Sequence, residues 1–141
     1  MRLHLLAIGL LLTGCTKAAS NVQLKRNAMA RLNYVELPAS DLKASRSFYE
    51  QAFGWRMTEF GPSYAATTTG DTDLGLDGDQ AEQPKAPLPV VEVSDLEAAR
   101  EAVERAGGTI VRPIFSFPGG RRFQFRDPAG NELAVSQPAA E

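Results

Sequence analysis

Two short stretches of this sequence carry polar side chains at positions that could form a binding or catalytic site. In LNYVELPA, Tyr34 and Glu36 alternate with apolar residues, and in RRFQFR, Arg122 and Gln124 alternate with phenylalanines. Successive side chains of a β-strand point to opposite faces, so each polar pair is predicted to share one face. The stretch NELAVS adds Glu132. We therefore predict that these five side chains line a ligand site.

Glu36 has two interpretations. A carboxylate in a mostly apolar strand is costly to bury unless a donor or a cation pairs with it. Glu36 is either a ligand anchor or general base, assisted by Tyr34, or the structural ion-pair partner of Arg122 or Arg126. Both interpretations stay open, because pairing also perturbs titration without serving a function.

The first fifteen residues contain the only cysteine, Cys15, and the only histidine, His4. One arginine precedes an apolar run that is too short to span a bilayer and ends in small residues, which is typical of a secretory signal. The residues LTGC resemble the bacterial lipobox, in which the signal is cut before a cysteine that receives lipid chains. We predict a lipoprotein signal peptide over 1–14, a lipid on Cys15 and a tether over 15–30.

The predicted location follows from this segment. Thr16 after the cysteine resembles lipoproteins sent to the outer membrane, so the protein is expected in the bacterial cell envelope, lipid-anchored and facing the periplasm. The alternative is that translation starts at Met29, in MARLNYVELPA, which would give a cytoplasmic protein without the anchor.

Composition restricts the chemistry of the rest. At 141 residues, with 43% hydrophobic and 23% charged residues, the chain is typical of one globular domain. The net charge of -2 provides no broad basic field, so nucleic acid is not an expected partner. Without His4 and Cys15, the mature domain has no disulfide, no thiolate nucleophile and no imidazole to move protons near neutral pH.

An internal repeat indicates the architecture. SDLKASRSFYEQAFG, from Ser40, matches SDLEAAREAVERAGG, from Ser94, after a shift of 54 positions. Each copy reads as a strand, an aspartate-capped helix and three further strands. In the first helix Phe48, Tyr49, Ala52 and Phe53 fall on one stripe. We predict a domain over 31–138, with units 32–78 and 87–137, in the α+β class.

The tandem βαβββ pattern, with SDL before each helix, FY and FG around the first helix and DPAGN before the last strand, resembles the vicinal-oxygen-chelate superfamily of glyoxalases, bleomycin-resistance proteins and extradiol dioxygenases. Within it the sequence is similar to short proteins related to lactoylglutathione lyase. The resemblance implies two units that form a cup-shaped, partly open eight-stranded sheet with the helices outside.

The same resemblance implies four metal-ligand positions, and this sequence departs from them. Tyr34, Leu88 and Ala134 stand where the family has its first ligand, its repeat and its final glutamate. The fourth position lies in TDLGLDG, where the carboxylates are Asp73 and Asp77 and the register is open. Imidazole and carboxylate ligands for Zn, Ni or Fe are therefore missing, and we expect no metal and no cofactor.

Three functions remain as hypotheses. The first is a membrane-anchored protein that binds a small molecule in the cup without a transition metal. The second is a lyase, isomerase or dioxygenase-like enzyme whose site is rebuilt from carboxylates, Tyr34 and Arg122. The third is a structural lipoprotein with a vestigial cup. The two units either close one cup within a chain or are exchanged between the two chains of a homodimer.

Overall fold

The computed structural model describes residues 30–140 of the chain. Within this part, eight strands and two helices follow one another: β1 (Arg31–Pro38), α1 (Leu42–Phe53), β2 (Thr58–Glu59), β3 (Tyr64–Ala66), β4 (Asp73–Asp77), β5 (Leu88–Glu92), α2 (Leu96–Arg105), β6 (Thr109–Phe117), β7 (Gly120–Arg126) and β8 (Glu132–Pro138). The predicted signal peptide, the lipid site at Cys15, the alternative start at Met29 and the tether as far as residue 29 lie outside the described residues.

All eight strands join one mixed sheet in the order β2-β3-β4-β1-β5-β8-β7-β6. The first strand of each unit pairs in parallel with the last strand of the same unit, β1 with β4 and β5 with β8. The units meet where β1 and β5 pair antiparallel. This is the predicted α+β architecture of two βαβββ units in one open sheet, and the prediction is confirmed.

Both helices begin at the predicted aspartates. The Asp41 carboxylate accepts a hydrogen bond from the Ala44 backbone amide at 2.9 Å, and Asp95 accepts one from Ala98 at the same distance. Each cap satisfies one of the backbone N–H groups that a helix leaves unpaired at its start. Helix α1 ends at Gly54, whose φ of 68° is left-handed. The repeated SDL motif is therefore a helix-start signal in both units.

The helix-facing side of the sheet holds two apolar clusters. In the first unit Leu76 and Met57 are buried, with Leu37 packed against them. In the second unit Phe123 is fully buried with Leu96 and Val135. Leu37, Phe123 and Val135 alternate with the polar residues of their strands, and these contacts place them on the helix-facing side. Their polar neighbours in sequence consequently point to the opposite, concave face.

The aromatic stripe of α1 is only partly used. Tyr49 packs against the first-unit cluster, but Phe48 and Phe53 are 60% and 59% exposed, and no residue of this helix is fully buried. The helix contacts β3 and β4 of the sheet, and these strands span only three and five residues. The sheet there is too small to cover the whole stripe. Neither helix within residues 30–140 is long and apolar enough to cross a membrane.

Candidate functional site

Glu36 is the centre of a polar cluster on the concave face of the sheet. It lies in the middle of β1 and is 4% exposed. Its Oε2 accepts hydrogen bonds from the Tyr64 hydroxyl at 3.1 Å and from Nη1 of Arg122 at 3.2 Å. Strand β7 supplies Arg122 across the cup, 86 positions along the chain. The ion pair anticipated for Glu36 is therefore formed with Arg122, whereas Arg126 lies 3.8 Å from Glu132.

Two tyrosine hydroxyls extend this cluster. The hydroxyl oxygens of Tyr34 and Tyr64 are 2.7 Å apart, so Tyr34 contacts Glu36 through Tyr64. Tyr64 was not among the residues predicted for the site. Tyr64 pairs with Asp77 in β4 and so shares the face of the other inward side chains. Nothing in the local pattern of β3 showed that this strand would approach Glu36.

Gly75 makes room for the two hydroxyls. A Cβ atom at this position would overlap the hydroxyl oxygens of both Tyr34 and Tyr64. Glu36 pairs with Gly75, and Val90, its counterpart in the repeat, pairs with Ala134. Gly75 thus occupies the fourth ligand position implied by the resemblance. Neither Asp73 nor Asp77 stands at that position, so the register of TDLGLDG against β1 is now defined.

The residues at the four implied ligand positions do not fit a transition metal. Tyr34 is a phenol that is hydrogen-bonded to a second phenol, and Gly75 has no side chain. The other two positions hold buried apolar side chains, Leu88 and Ala134. Zinc and its neighbours in the periodic table take thiolate, imidazole and carboxylate ligands. Among residues 30–140 no group of three such side chains could hold a metal ion.

The two carboxylates beside Gly75 have different surroundings. Asp73 accepts hydrogen bonds from Thr67 and from Thr69, at 2.7 and 2.8 Å, and closes the turn before β4. Partial burial alone would raise the pKa of the Asp73 carboxyl. The hydrogen bonds outweigh this effect, so the pKa is lowered. Asp77 is buried, and loss of hydration raises the pKa of its carboxyl, with a smaller effect of Glu36 in the same direction. Asp73 is a turn residue, and Asp77 is the second carboxylate of the cup.

Both tyrosines remain protonated near neutral pH. Burial raises the pKa of Tyr34 to about 12, against the hydrogen bond that it shares with Tyr64, which lowers it. Burial, followed by the charge of Glu36, raises the pKa of Tyr64 further. A phenol that keeps its proton can donate a hydrogen bond, as Tyr64 does to Glu36. Tyr64 is therefore a donor in this cluster, and Oε2 of Glu36 is its acceptor.

Two polar atoms at the centre of the cluster make no hydrogen bond within the part of the chain that the structure describes. Oε1 of Glu36 and Nε of Arg122 are buried, yet neither has a hydrogen-bond partner among the described residues. The guanidinium carbon of Arg122 lies 5.2 Å from the ring centre of Phe115 and 5.5 Å from that of Phe117, both in β6. These two phenylalanines were not selected from the sequence, because the bulges in β6 obscure its alternation. A buried acceptor and a buried donor thus stand beside aromatic surface.

The remaining predicted residues lie around the cluster. Gln124 is half-buried and pairs in register with Ala134 on the concave face. Glu132, at the start of β8, is exposed and lies near Arg126 at the rim. Buried Leu88, Val90 and Ala134 form an apolar wall against which Tyr34 packs. The structure therefore brings Tyr34, Glu36 and Arg122 into one network, with Gln124 on the same face and Glu132 outside it.

Comparison with known proteins agrees with this architecture. The family model of the glyoxalase/bleomycin resistance protein/dioxygenase superfamily matches residues 31–135. A glyoxylase-like domain-containing protein of Didymella fabae is 30% identical over 117 residues, which are 74% of this chain and 91% of that protein.

Two solved structures share the fold at low identity. Methylmalonyl-CoA epimerase from Mycobacterium tuberculosis superposes with a TM-score of 0.62 at 17% identity, covering 77% of this chain and 88% of that one. A glyoxalase/bleomycin resistance protein/dioxygenase superfamily member from Vibrio splendidus 12B01 has a TM-score of 0.58 at 20% identity and covers 78% and 99%. At these identities the likeness concerns the fold alone.

Proposed function

Because this chain belongs to the glyoxalase/bleomycin resistance protein/dioxygenase superfamily, we propose that its concave face binds a small molecule without a transition metal, in a protein held at the bacterial envelope by lipid on Cys15. The ligand contacts are assigned to Tyr34, Glu36, Arg122 and Gln124. Glu132, at the rim, is assigned to the entrance of the site.

The free oxygen of Glu36 carries this proposal. Folded proteins leave few buried polar atoms without a partner, because each costs the loss of its hydration. Oε2 of Glu36 is satisfied by Tyr64 and Arg122, whereas Oε1 is buried and has no partner within residues 30–140. A ligand N–H or O–H group directed at Oε1 would supply the missing hydrogen bond.

The surroundings define the rest of the ligand. Nε of Arg122 is a second unused group, and it requires an acceptor such as a carbonyl oxygen. Phe115 and Phe117 on one side, and Leu88 and Val90 on the other, offer apolar surface for a carbon skeleton or a ring. The expected ligand is a small, largely apolar molecule with a donor and an acceptor close together.

Thermal shift with matched variants tests this function. We expect a compound library containing amides, lactams and hydroxy ketones to include molecules that raise the melting temperature of the wild-type protein, and Glu36→Gln to abolish the increase. The control is Glu97→Gln, since Glu97 also pairs with an arginine of β7, Arg121, but is an exposed residue of α2. Equal shifts in both variants would contradict a ligand contact at Glu36.

A rebuilt enzyme site is the second candidate function. The specific observation is that one oxygen of Glu36 is free while two phenol donors stand beside it. That combination could accept a proton from a ligand and stabilise the resulting negative charge. Incubation of a bound compound in D₂O, followed by NMR, tests it: deuterium entering the ligand with wild-type protein but not with Glu36→Gln supports catalysis, whereas an unchanged ligand leaves only binding.

Attachment to the membrane is the other part of the proposal. Its support is the apolar run followed by LTGC. Cells that produce the full-length protein should carry it in the membrane fraction with lipid on Cys15, and Cys15→Ala should release or mislocalise a protein that still folds. A soluble, unlipidated wild-type protein that begins at Met29 would contradict this part.

A further inference from the structure

Four aromatic side chains at the end of α1 form one contiguous aromatic patch: Phe48, Tyr49, Phe53 and Trp55. Tyr49 and Trp55 stack with ring centres 5.7 Å apart, and Phe53 and Trp55 lie 5.1 Å apart. Phe48 meets the edge of Tyr49 at 5.2 Å. Phe48, Phe53 and Trp55 are 60%, 59% and 41% exposed. Single exposed rings are ordinary, but contiguous apolar patches mark interaction surfaces.

The aromatic patch lies at the end of the domain where the N-terminal segment joins it. Helix α1 starts directly after β1 and runs back along the sheet for twelve residues, about 18 Å at 1.5 Å per residue. Its start is beside the end of β4, since a Cβ on Gly78 would lie 3.3 Å from Leu42. Thr58, three residues after Trp55, is level with Glu36 through the pairings of β2, β3, β4 and β1, and β2 runs parallel to β1, so Trp55 lies toward the start of β1. Leu32, at that start, is 54% exposed and pairs with Val91.

The chain that leads into this end is basic. Between Cys15 and Glu36 the sequence contains Lys17, Lys25, Arg26 and Arg31 and no acidic residue. Arg56, next to Trp55, is also exposed. Basic side chains beside exposed aromatic rings are complementary to a bilayer with anionic headgroups, where tryptophan and phenylalanine enter the interface.

We propose that the aromatic patch docks on the surface of the lipid bilayer in which Cys15 is anchored. The proposal rests on the lipid attachment proposed above but not on the ligand site. Residues 16–29 separate Cys15 from the described part of the chain and could span at most about 50 Å, so the patch would face a high local concentration of lipid surface. Docking would hold the outer face of α1 against the membrane and fix the orientation of the cup.

Trp55 is the only tryptophan of the chain, so its fluorescence reports on the patch directly. The full-length, lipidated protein is reconstituted at a low protein-to-lipid ratio into vesicles of phosphatidylethanolamine and phosphatidylglycerol. We expect a blue-shifted Trp55 emission, strong quenching by brominated acyl chains in the bilayer, and severalfold weaker quenching by iodide in the water. Mass spectrometry of the Cys15 peptide accompanies the measurement.

Variants of the patch supply the controls. Phe48→Ser with Phe53→Ser should restore iodide quenching of Trp55, whereas Phe60→Ser, at a ring that is 55% exposed but outside the stacked contacts, should leave it unchanged. Unlipidated Cys15 overturns both the anchor and the docking. Lipidated protein whose Trp55 stays open to iodide overturns the docking alone. Protection that appears only at high protein density, without quenching by brominated lipid, would assign the patch to a second copy and also overturn the proposal.

Discussion

At the scale of single residues, the cup is organised around one carboxylate with two environments. Oε2 of Glu36 accepts hydrogen bonds from Tyr64 and Arg122, whereas Oε1 is buried and has no hydrogen-bond partner among the described residues. The two interpretations of Glu36, structural pair and ligand contact, are therefore compatible, because each uses a different oxygen. Glu36 and Tyr34 could be identified from strand alternation. Tyr64 and Phe115 could not, because their proximity depends on how distant strands curve.

The ion pair of Glu36 leads to a prediction about stability. The side chains of Arg122 and Glu36 are 14% and 5% exposed. Removing one member of a buried pair leaves the other without compensation and typically costs about 3 to 5 kcal/mol. We expect Glu36→Gln to lower the free energy of unfolding by up to that amount, and the additional change Arg122→Gln to recover part of the loss in denaturant titrations. Additive losses would contradict a direct coupling.

Asp77 leads to a prediction about pH. Its raised pKa means that the folded protein binds more protons than the unfolded chain between the unfolded pKa, near 3.8, and the higher folded value. The free energy of unfolding should therefore fall as pH rises through that window and level off above it. Asp77→Asn lacks this titration, so its stability relative to wild type should increase over the same range.

The matched comparison for Asp77 is Asp73. Hydrogen bonds lower the pKa of Asp73, so its ionised form stabilises the fold above the unfolded pKa. Asp73→Asn should therefore lose stability relative to wild type as pH rises. Urea titrations of both variants between pH 3 and pH 7 measure the two slopes. Slopes of the same sign would refute the assignment of opposite environments to these two carboxylates.

At the scale of elements, the internal repeat predicted most of the architecture. Two SDL-capped helices and the order of strands were visible because capping and alternation are local signals. The register of β4 could not be predicted, because Leu74 and Leu76 indicate only which face of the strand is buried. The position of Gly75 opposite Glu36 depends on the turn that Asp73 closes. The exposure of α1 was also missed, since it depends on how little of the helix the short strands β3 and β4 cover.

The close approach at Gly75 can be tested by one methyl group. Gly75→Ala would place a Cβ against the hydroxyls of Tyr34 and Tyr64 and should destabilise the protein by about 1 to 3 kcal/mol, as overpacking does. The loss should be smaller when Tyr34→Phe and Tyr64→Phe are already present, because two of the overlapping atoms are gone. Denaturant titration of the four combinations measures this coupling. An equal loss in both backgrounds would mean that the hydroxyls are not what Gly75 accommodates.

At the scale of the whole molecule, the superfamily fold is retained while its implied metal position is filled by other side chains. The helix-facing side is apolar, as the sequence predicts, and the concave side combines an apolar wall with the Glu36 cluster. What the ligand is cannot be derived from the fold, because one fold serves many chemistries. The central claim is that this concave face binds its ligand without metal.

The most direct test is a thermal-shift titration of one bound compound, performed in excess chelator and again with added Zn²⁺, Ni²⁺, Mn²⁺ or Fe²⁺. Ligand binding should raise the unfolding free energy by about 2.7 kcal/mol at a hundredfold excess over the dissociation constant. We expect the same shift in chelator as with each metal, and no shift from any metal alone. A compound that stabilises the protein only when a transition metal is present would contradict this expectation.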